Sequence, residues 1–252
     1  MTSPGLVPVP GVCVVIPAFN EEKSLPRVLE AIPRDLVQEV VVVDNGSTDA
    51  TARVAAGCGA TVLTEARRGY GSACLAGLED LRPRAPDIVV FMDGDFSDHP
   101  DEMPRLLHPI LEEDCDLVIG SRVLGGAEPG SLLPQARIGN CLAVFLLRAL
   151  FGARYTDLGP FRAARYPKLM DLGMNDRTFG WTVEMQARAA LAGWKTAEVA
   201  VSYRRRVGIS KITGTLTGTI LAAAKILSTI FLLRLKGGAR NTLRPPGARP
   251  RH

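Results

Sequence analysis

Val40-Val41-Val42-Val43-Asp44-Asn45-Gly46-Ser47-Thr48-Asp49 and Ile88-Val89-Val90-Phe91-Met92-Asp93-Gly94-Asp95 decide the fold. Each is a short, unbroken apolar run that ends in aspartates. Runs of that length and β-branched content read as strands buried on both faces of a parallel sheet. In an open α/β sheet, ligands bind beyond the carboxyl ends of the strands. Carboxylates at that rim suit a hard divalent cation carrying a diphosphate. The pattern therefore points to a nucleotide-sugar substrate and a transfer reaction.

Working outward, strands are expected at residues 12–16, 40–43, 61–63, 88–92 and 117–119, with helical patterns between them. That alternation predicts an α/β, doubly wound, mostly parallel sheet. Ser47 or Thr48 is expected to cap the helix after the second strand, and Gly57 to end it. The helix expected at 69–81 begins with Gly71, Ser72 and Ala73, small enough for close approach of a ligand or for packing against the sheet. Beyond about residue 120 the pattern changes. An apolar helix is expected at 138–151, a polar stretch at 156–163, a helix after Phe179–Met185, a strand at 198–203 and a last helix at 216–235. The division this suggests is a loose lead-in (1–11) and a main domain (12–212) with a nucleotide half (12–122) and an acceptor half (123–212). A C-terminal amphipathic helix (213–236) and a basic tail (237–252) follow.

The 252 residues carry a net charge of +4, with 46% apolar and 22% charged side chains. That is ordinary globular composition. After Glu198 there is no Asp or Glu, but there are eleven Lys and Arg. Removing those eleven from +4 leaves −7 on the first 198 residues. A basic end on an acidic body predicts an anionic partner there, a lipid phosphate or an anionic membrane surface. Lys225 interrupts the last helix, which argues against a spanning helix and leaves an interfacial or a packing role. The basic end lacks interleaved aromatics, so a nucleic-acid partner is not expected. Five scattered cysteines without a CxxC pair read as reduced thiols. No signal peptide is read, and the expected location is cytoplasmic, peripheral at the inner face of the membrane.

Asp93-Gly94-Asp95 is the strongest element. One carboxylate is expected to hold the ribose while the other coordinates Mg²⁺ or Mn²⁺ bridging the phosphates. With Pro17-Ala18-Phe19-Asn20-Glu21-Glu22, Asp44 to Asp49 and Gly120-Ser121-Arg122, the chain resembles family 2 glycosyltransferases of the GT-A fold. Thr156-Asp157-Leu158-Gly159-Pro160-Phe161-Arg162, Glu184 to Ala189 and Arg205-Arg206-Val207-Gly208-Ile209-Ser210-Lys211 are similar to the dolichyl- or polyprenyl-phosphate mannose/glucose synthase branch. The resemblance implies that Pro17, Ala18, Asn20, Glu21, Asp44 and Ser47 surround the nucleotide. It implies that Asp93, Gly94 and Asp95 take the metal and diphosphate. Arg122, Arg205 and Lys211 would hold donor diphosphate or acceptor phosphate. Members often carry Gln where this chain has Ser97, a weaker candidate ligand.

The reaction implied is an inverting single displacement of a hexose from a UDP-sugar or GDP-mannose onto a polyprenyl phosphate. A phosphate acceptor is already anionic and needs alignment and neutralisation. A soluble hydroxyl acceptor would need a base, for which Glu184 and Asp157 are the candidates. A sugar-phosphate nucleotidyltransferase would place a Gly-rich loop after its first strand, where Pro17-Ala18-Phe19-Asn20 stands here. A non-catalytic nucleotide-sugar-binding protein is the remaining class, and the acidic pair and Arg122 argue against it.

Overall fold

The structure, a computed structural model, describes residues 10–208 and the helix over 216–241, with the side chains of 221–235 in that helix. Seven strands form one sheet: β1 (Val12–Ala18), β2 (Glu39–Asp44), β3 (Thr61–Thr64), β4 (Ile88–Phe91), β5 (Leu117–Ser121), β6 (Arg162–Arg165) and β7 (Thr196–Ala200). Their order is β3-β2-β1-β4-β6-β5-β7. Every neighbouring pair is parallel except those made by β6, which runs antiparallel to β4 and β5.

The apolar runs alternate between two cores. Val14, Ile16, Val40, Val42, Val90 and Val118 face α1 (Leu25–Ala31) and α4 (Met103–Glu112). Val15, Val41, Val43, Val89, Phe91 and Ile119 face the other side. There they meet α3 (Tyr70–Asp80), α6 (Pro134–Phe151), α8 (Trp181–Leu191) and α9 (Leu216–Asn241). Burial on both faces explains why these strands carry no polar alternation. The register sets Ala18 beside Asp44, so the ends of β1 and β2 share one rim with the loop after β4.

Three local expectations are corrected. The stretch read as polar, 156–163, runs into β6. Arg162-Ala163-Ala164-Arg165 has no β-branched residue, so its pairing comes from burial between β4 and β5 rather than from propensity. The last strand spans Thr196–Ala200, and Tyr203 only bridges to Ala127. Ser47 and Thr48 do not cap α2 (Thr51–Gly57): Asp49 Oδ1 accepts from Thr51 N at 3.0 Å. Ser47 and Thr48 turn instead to Asn20, whose N–H donates to Ser47 Oγ at 2.9 Å and whose Oδ1 accepts from Thr48 N at 2.7 Å.

The C-terminal helix packs on the domain. Ile230 is fully buried, and α9 lies against α6 and α8. Lys225 points inward, its Nζ 2.9 Å from Asp176 Oδ2, and Thr229 Oγ1 donates to the same oxygen at 3.2 Å. The opposite face leaves Leu221, Phe231, Leu232 and Leu235 exposed. No helix among the described residues is long and apolar enough to cross a membrane.

The loop that carries Asp176 abuts the start of α3. Ser72 N donates to Arg177 O at 2.9 Å and Gly71 N to Thr178 O at 3.3 Å. A Cβ on Gly71 would stand 2.1 Å from Asp176 O. The small residues at 71–73 thus admit this backbone. Gly71→Ala is expected to cost about 1–3 kcal/mol of stability through overpacking, read as a lower urea midpoint at unchanged slope.

Candidate active site

The loop after β4 is built to crowd carboxylates. Asp95 Oδ1 accepts from Ser97 N at 2.9 Å and from Ser97 Oγ at 2.5 Å. Asp93 N donates to Asp98 Oδ2 at 3.1 Å, and Phe96 takes a left-handed backbone (φ 65°) between them. Asp95 and Asp98 are buried at 4% and 2% exposure. Asp93 Oδ1 and Asp98 Oδ1 are buried without a hydrogen-bond partner among the described residues. Burial, with the charges of Asp95 and Asp98, pushes the Asp93 carboxyl well above the usual carboxylate range. Burial, with the charge of Asp95 against the hydrogen bond from Asp93 N, brings Asp98 to about 7. Unsatisfied, mutually repelling oxygens at a sheet rim fit a cation.

Among the described residues no group of three or more His, Cys, Asp or Glu is placed to hold a metal ion by itself. A cation at this rim would take its other ligands from phosphate or water, the habit of Mg²⁺ at nucleotide sites. Ser97 is fully buried and spends both its donors on Asp95, so it orients that carboxylate. A Cβ on Gly94 would meet only ordinary contacts, with Ile16, Leu25 and Pro17 at 3.5–3.6 Å. The protein's own packing does not require glycine there.

The nucleotide side is a set of interlocked turns. Asp44 Oδ1 accepts from Ser47 N at 3.1 Å. Asn45 Nδ2 donates to Glu65 O and Arg67 O, and its Oδ1 accepts from Gly69 N at 2.7 Å. Asn20 sits in the left-handed region (φ 55°), a conformation asparagine tolerates. Glu21 Oε2 accepts from Ser24 Oγ at 2.7 Å. Pro17 and Ala18 close β1 opposite Val43 and Asp44.

The basic segment after β7 lies along the carboxylate loop. Arg204 N donates to Ser97 O and Val207 N to Asp95 O, each at 3.0 Å, and the Arg204 guanidinium stacks 3.6 Å over Phe96. Arg206 reaches Asp95 Oδ2 and Glu21 Oε1, both at 3.2 Å. Arg205, the arginine expected at the phosphates, turns away. It is exposed, with its N–H on Glu128 Oε2 and its Nε on Pro129 O. The next residue, Arg206, is the one that meets the carboxylates. Lys211 lies outside the described residues.

The two base candidates are committed elsewhere. Asp157 is 1% exposed and forms a bidentate pair with Arg122: Nε to Oδ2 and Nη2 to Oδ1, each 2.7 Å. Arg122 N also donates to Oδ2 at 2.9 Å. Burial opposes the Arg122 charge, but these bonds outweigh it and hold its pKa above the usual arginine value. Glu198 accepts from Thr156 N and Asp157 N, and Gln186 Nε2 donates to Asp157 O, which fixes the pair in place. Glu184 is 3% exposed and accepts from Asn175 N, Asp176 N and Arg188 Nε, so it ties a loop to α8. Trp181 is a core residue, edge-on to Phe91 with ring centroids 5.7 Å apart.

Arg122 opens α5 (Arg122–Gly125), which Ser121 caps through its Oγ to Leu124 N at 3.1 Å. Beside it is a cleft of about 340 Å³ whose walls include Arg122, Val123, Leu132, Arg137, Asn140 and Cys141. Sequence reasoning missed Asp98, Arg206 and Asn45, although the D-x-D-x-x-D spacing carried the first in plain view. Asp157→Ala removes the bidentate partner of the half-buried Arg122 guanidinium. The expected cost is about 3–5 kcal/mol in urea unfolding, a loss that a base standing free in the cleft would not produce.

Comparison with known proteins agrees with this geometry. The model of Glycosyl transferase family 2 matches residues 13–173. An uncharacterised glycosyltransferase of Mycobacterium tuberculosis is 44% identical over 214 residues, 84% of this chain and 94% of that one. An undecaprenyl-phosphate mannosyltransferase of Micrococcus luteus is 32% identical over 220 residues, 82% of this chain and 89% of that one. The solved glucosyl-3-phosphoglycerate synthase of M. tuberculosis, in complex with Mn²⁺, UDP and phosphoglyceric acid, superposes with a TM-score of 0.70 at 26% identity. That alignment covers 89% of this chain and 78% of the other. The seven-stranded sheet with one reversed strand is thus the GT-A architecture. The acidic rim after β4 falls inside the matched segment, and the chain belongs to glycosyl transferase family 2.

Proposed function

We propose that this glycosyltransferase moves a hexose from a nucleoside diphosphate sugar to the phosphate of a polyprenyl phosphate at an anionic membrane surface. The observation that carries the acceptor assignment is the cleft beside Arg122. Its lining is mostly apolar (Val123, Ala127, Leu132, Ala136 and Cys141), with Arg122, Arg137 and Asn140 among its few polar groups. It lies beside an exposed apolar face: Val123 and Leu124 on α5, then Ile138 (70% exposed), Leu142 and Phe145 (63% exposed) on α6. That combination suits a phosphate head with a hydrocarbon tail better than a small polar acceptor. Neither α6 nor any residue after Glu198 is acidic, so the same face suits anionic lipid. The mannosyltransferase of M. luteus, named for an undecaprenyl-phosphate substrate, supports the reading.

The commitment of Asp157 and Glu184 points the same way. Neither carboxylate stands ready to take a proton, and a phosphate acceptor gives none up. Asp157 fixes the plane of the Arg122 guanidinium, whose fork pairs with phosphate oxygens. Asp44, Asn45, Asn20 and Glu21 shape the nucleotide side, and Asp93 and Asp95 hold Mg²⁺ or Mn²⁺. The bound cation would supply neutralisation of the charge that grows on the departing diphosphate. The neighbouring synthase, solved with Mn²⁺ and UDP, supports that assignment.

The test offers the full-length protein UDP- and GDP-sugars with short polyprenyl phosphates or with 3-phosphoglycerate, and reads products by mass. Hexosylated lipid phosphate is expected. Transfer to phosphoglycerate, with none to lipid, overturns the acceptor assignment. Asp95→Ala is expected to lower the transfer rate about a hundredfold, near 3 kcal/mol of transition-state stabilisation. Wild-type turnover in that variant would remove Asp95 from the metal site.

A further inference from the structure

Arg206 stands where the metal reading needs an open carboxylate. Oδ1 of Asp95 already accepts two hydrogen bonds from Ser97, which leaves Oδ2 as the oxygen for any further ligand. Arg206 Nη1 lies 3.2 Å from that Oδ2, and its Nη2 lies 3.2 Å from Glu21 Oε1. The guanidinium therefore spans from the loop after β4 to the loop after β1. A guanidinium and a dication on one oxygen would stand within a few ångströms of each other in a poorly hydrated site, where like charges repel strongly. Arg206 offsets the crowding of Asp93, Asp95 and Asp98 while no metal is bound.

We propose that Arg206 is a resident counter-cation, which holds Asp95 in the donor-free enzyme and must leave it before a divalent cation binds there. This rests on the reading of Asp93 and Asp95 as the metal site. The backbone on either side of Arg206 is tied to the same loop, because Arg204 N and Val207 N donate to Ser97 O and Asp95 O. Donor loading is thereby coupled to the position of the basic segment. Arg204 is the natural control. It adds the same charge beside the loop, but its guanidinium stacks on Phe96 and reaches the Asp98 backbone carbonyl, not a side-chain carboxylate.

The experiment titrates Mn²⁺ alone, without nucleotide, into full-length wild type, Arg206→Gln, Arg206→Met, Arg204→Gln and Asp95→Asn. Free Mn²⁺ is counted by electron paramagnetic resonance. An occupied latch lowers apparent affinity by the fraction of molecules left open. A latch closed about nine-tenths of the time predicts roughly tenfold tighter Mn²⁺ binding in both Arg206 variants. Arg204→Gln is expected to stay within about twofold of wild type, because it vacates no carboxylate. Unchanged or weaker affinity in the Arg206 variants overturns the proposal, and so does an equal gain in Arg204→Gln. Asp95→Asn separates the two failures. If it binds Mn²⁺ as wild type does, the metal reading itself is wrong; if it loses binding while the Arg206 variants gain nothing, only the latch is wrong.

Discussion

Carboxylates crowded into a space that water barely enters must repel one another, and much of this enzyme is arranged around that repulsion. Asp93, Asp95 and Asp98 gather at the end of β4 because the strand carries them there and Ser97 and the Asp93 amide pin two of them. Burial raises the cost of charge on such a cluster, and an opposite charge beside it offsets that cost. The basic segment after β7 lies along the same loop and supplies positive charge from Arg206. The parallel strands β1, β2 and β4 serve this arrangement by bringing Asp44 at the end of β2 and the aspartates after β4 to one rim with the end of β1.

A second charge pair organises the segment between β5 and β6. Arg122 and Asp157 come from residues on either side of α6, and their bidentate contact closes the loop between β5 and β6. The pair is buried on one side and borders an apolar cleft on the other. Its value is geometric: it sets the direction of the Arg122 guanidinium. Glu198, Asn140 and Gln186 satisfy the surrounding backbone, so the pair sits in a network with few orphaned groups.

Most of the sheet was legible because its strands are buried on both faces, and continuous valine runs have few other uses. β6 was not legible. Two alanines flanked by arginines carry no strand signal, and the neighbours that pair with them lie far away in sequence. The acidic pair was readable from its spacing, whereas Asp98 looked like part of an ordinary turn. Asp157 and Glu184 were recognised as chemically notable, but a carboxylate's sequence position says nothing about which partner occupies it. The same limit applies to Arg205 and Arg206, where one residue of register decides which guanidinium faces the carboxylates. Helical spacing left a packing and an interfacial role open for α9, in which Ile230 and Leu233 turn to the core while Phe231 stays exposed. The inward turn of Lys225 required the position of Asp176.

That inward turn changes how the carboxyl-terminal helix should be regarded. Lys225 and Thr229 grip Asp176, and the adjoining carbonyls of Arg177 and Thr178 receive the amides that begin α3. Asn45 then clamps Gly69, one residue before α3. A continuous chain of polar fastenings therefore links the oily outer surface of α9 to the turn beside Asp44. Trimming the helix to make the enzyme easier to handle would remove a buttress of the loops around Asp176 and Gly69 along with the exposed apolar surface of α9. Lost activity in such a shortened protein would say little about the bilayer.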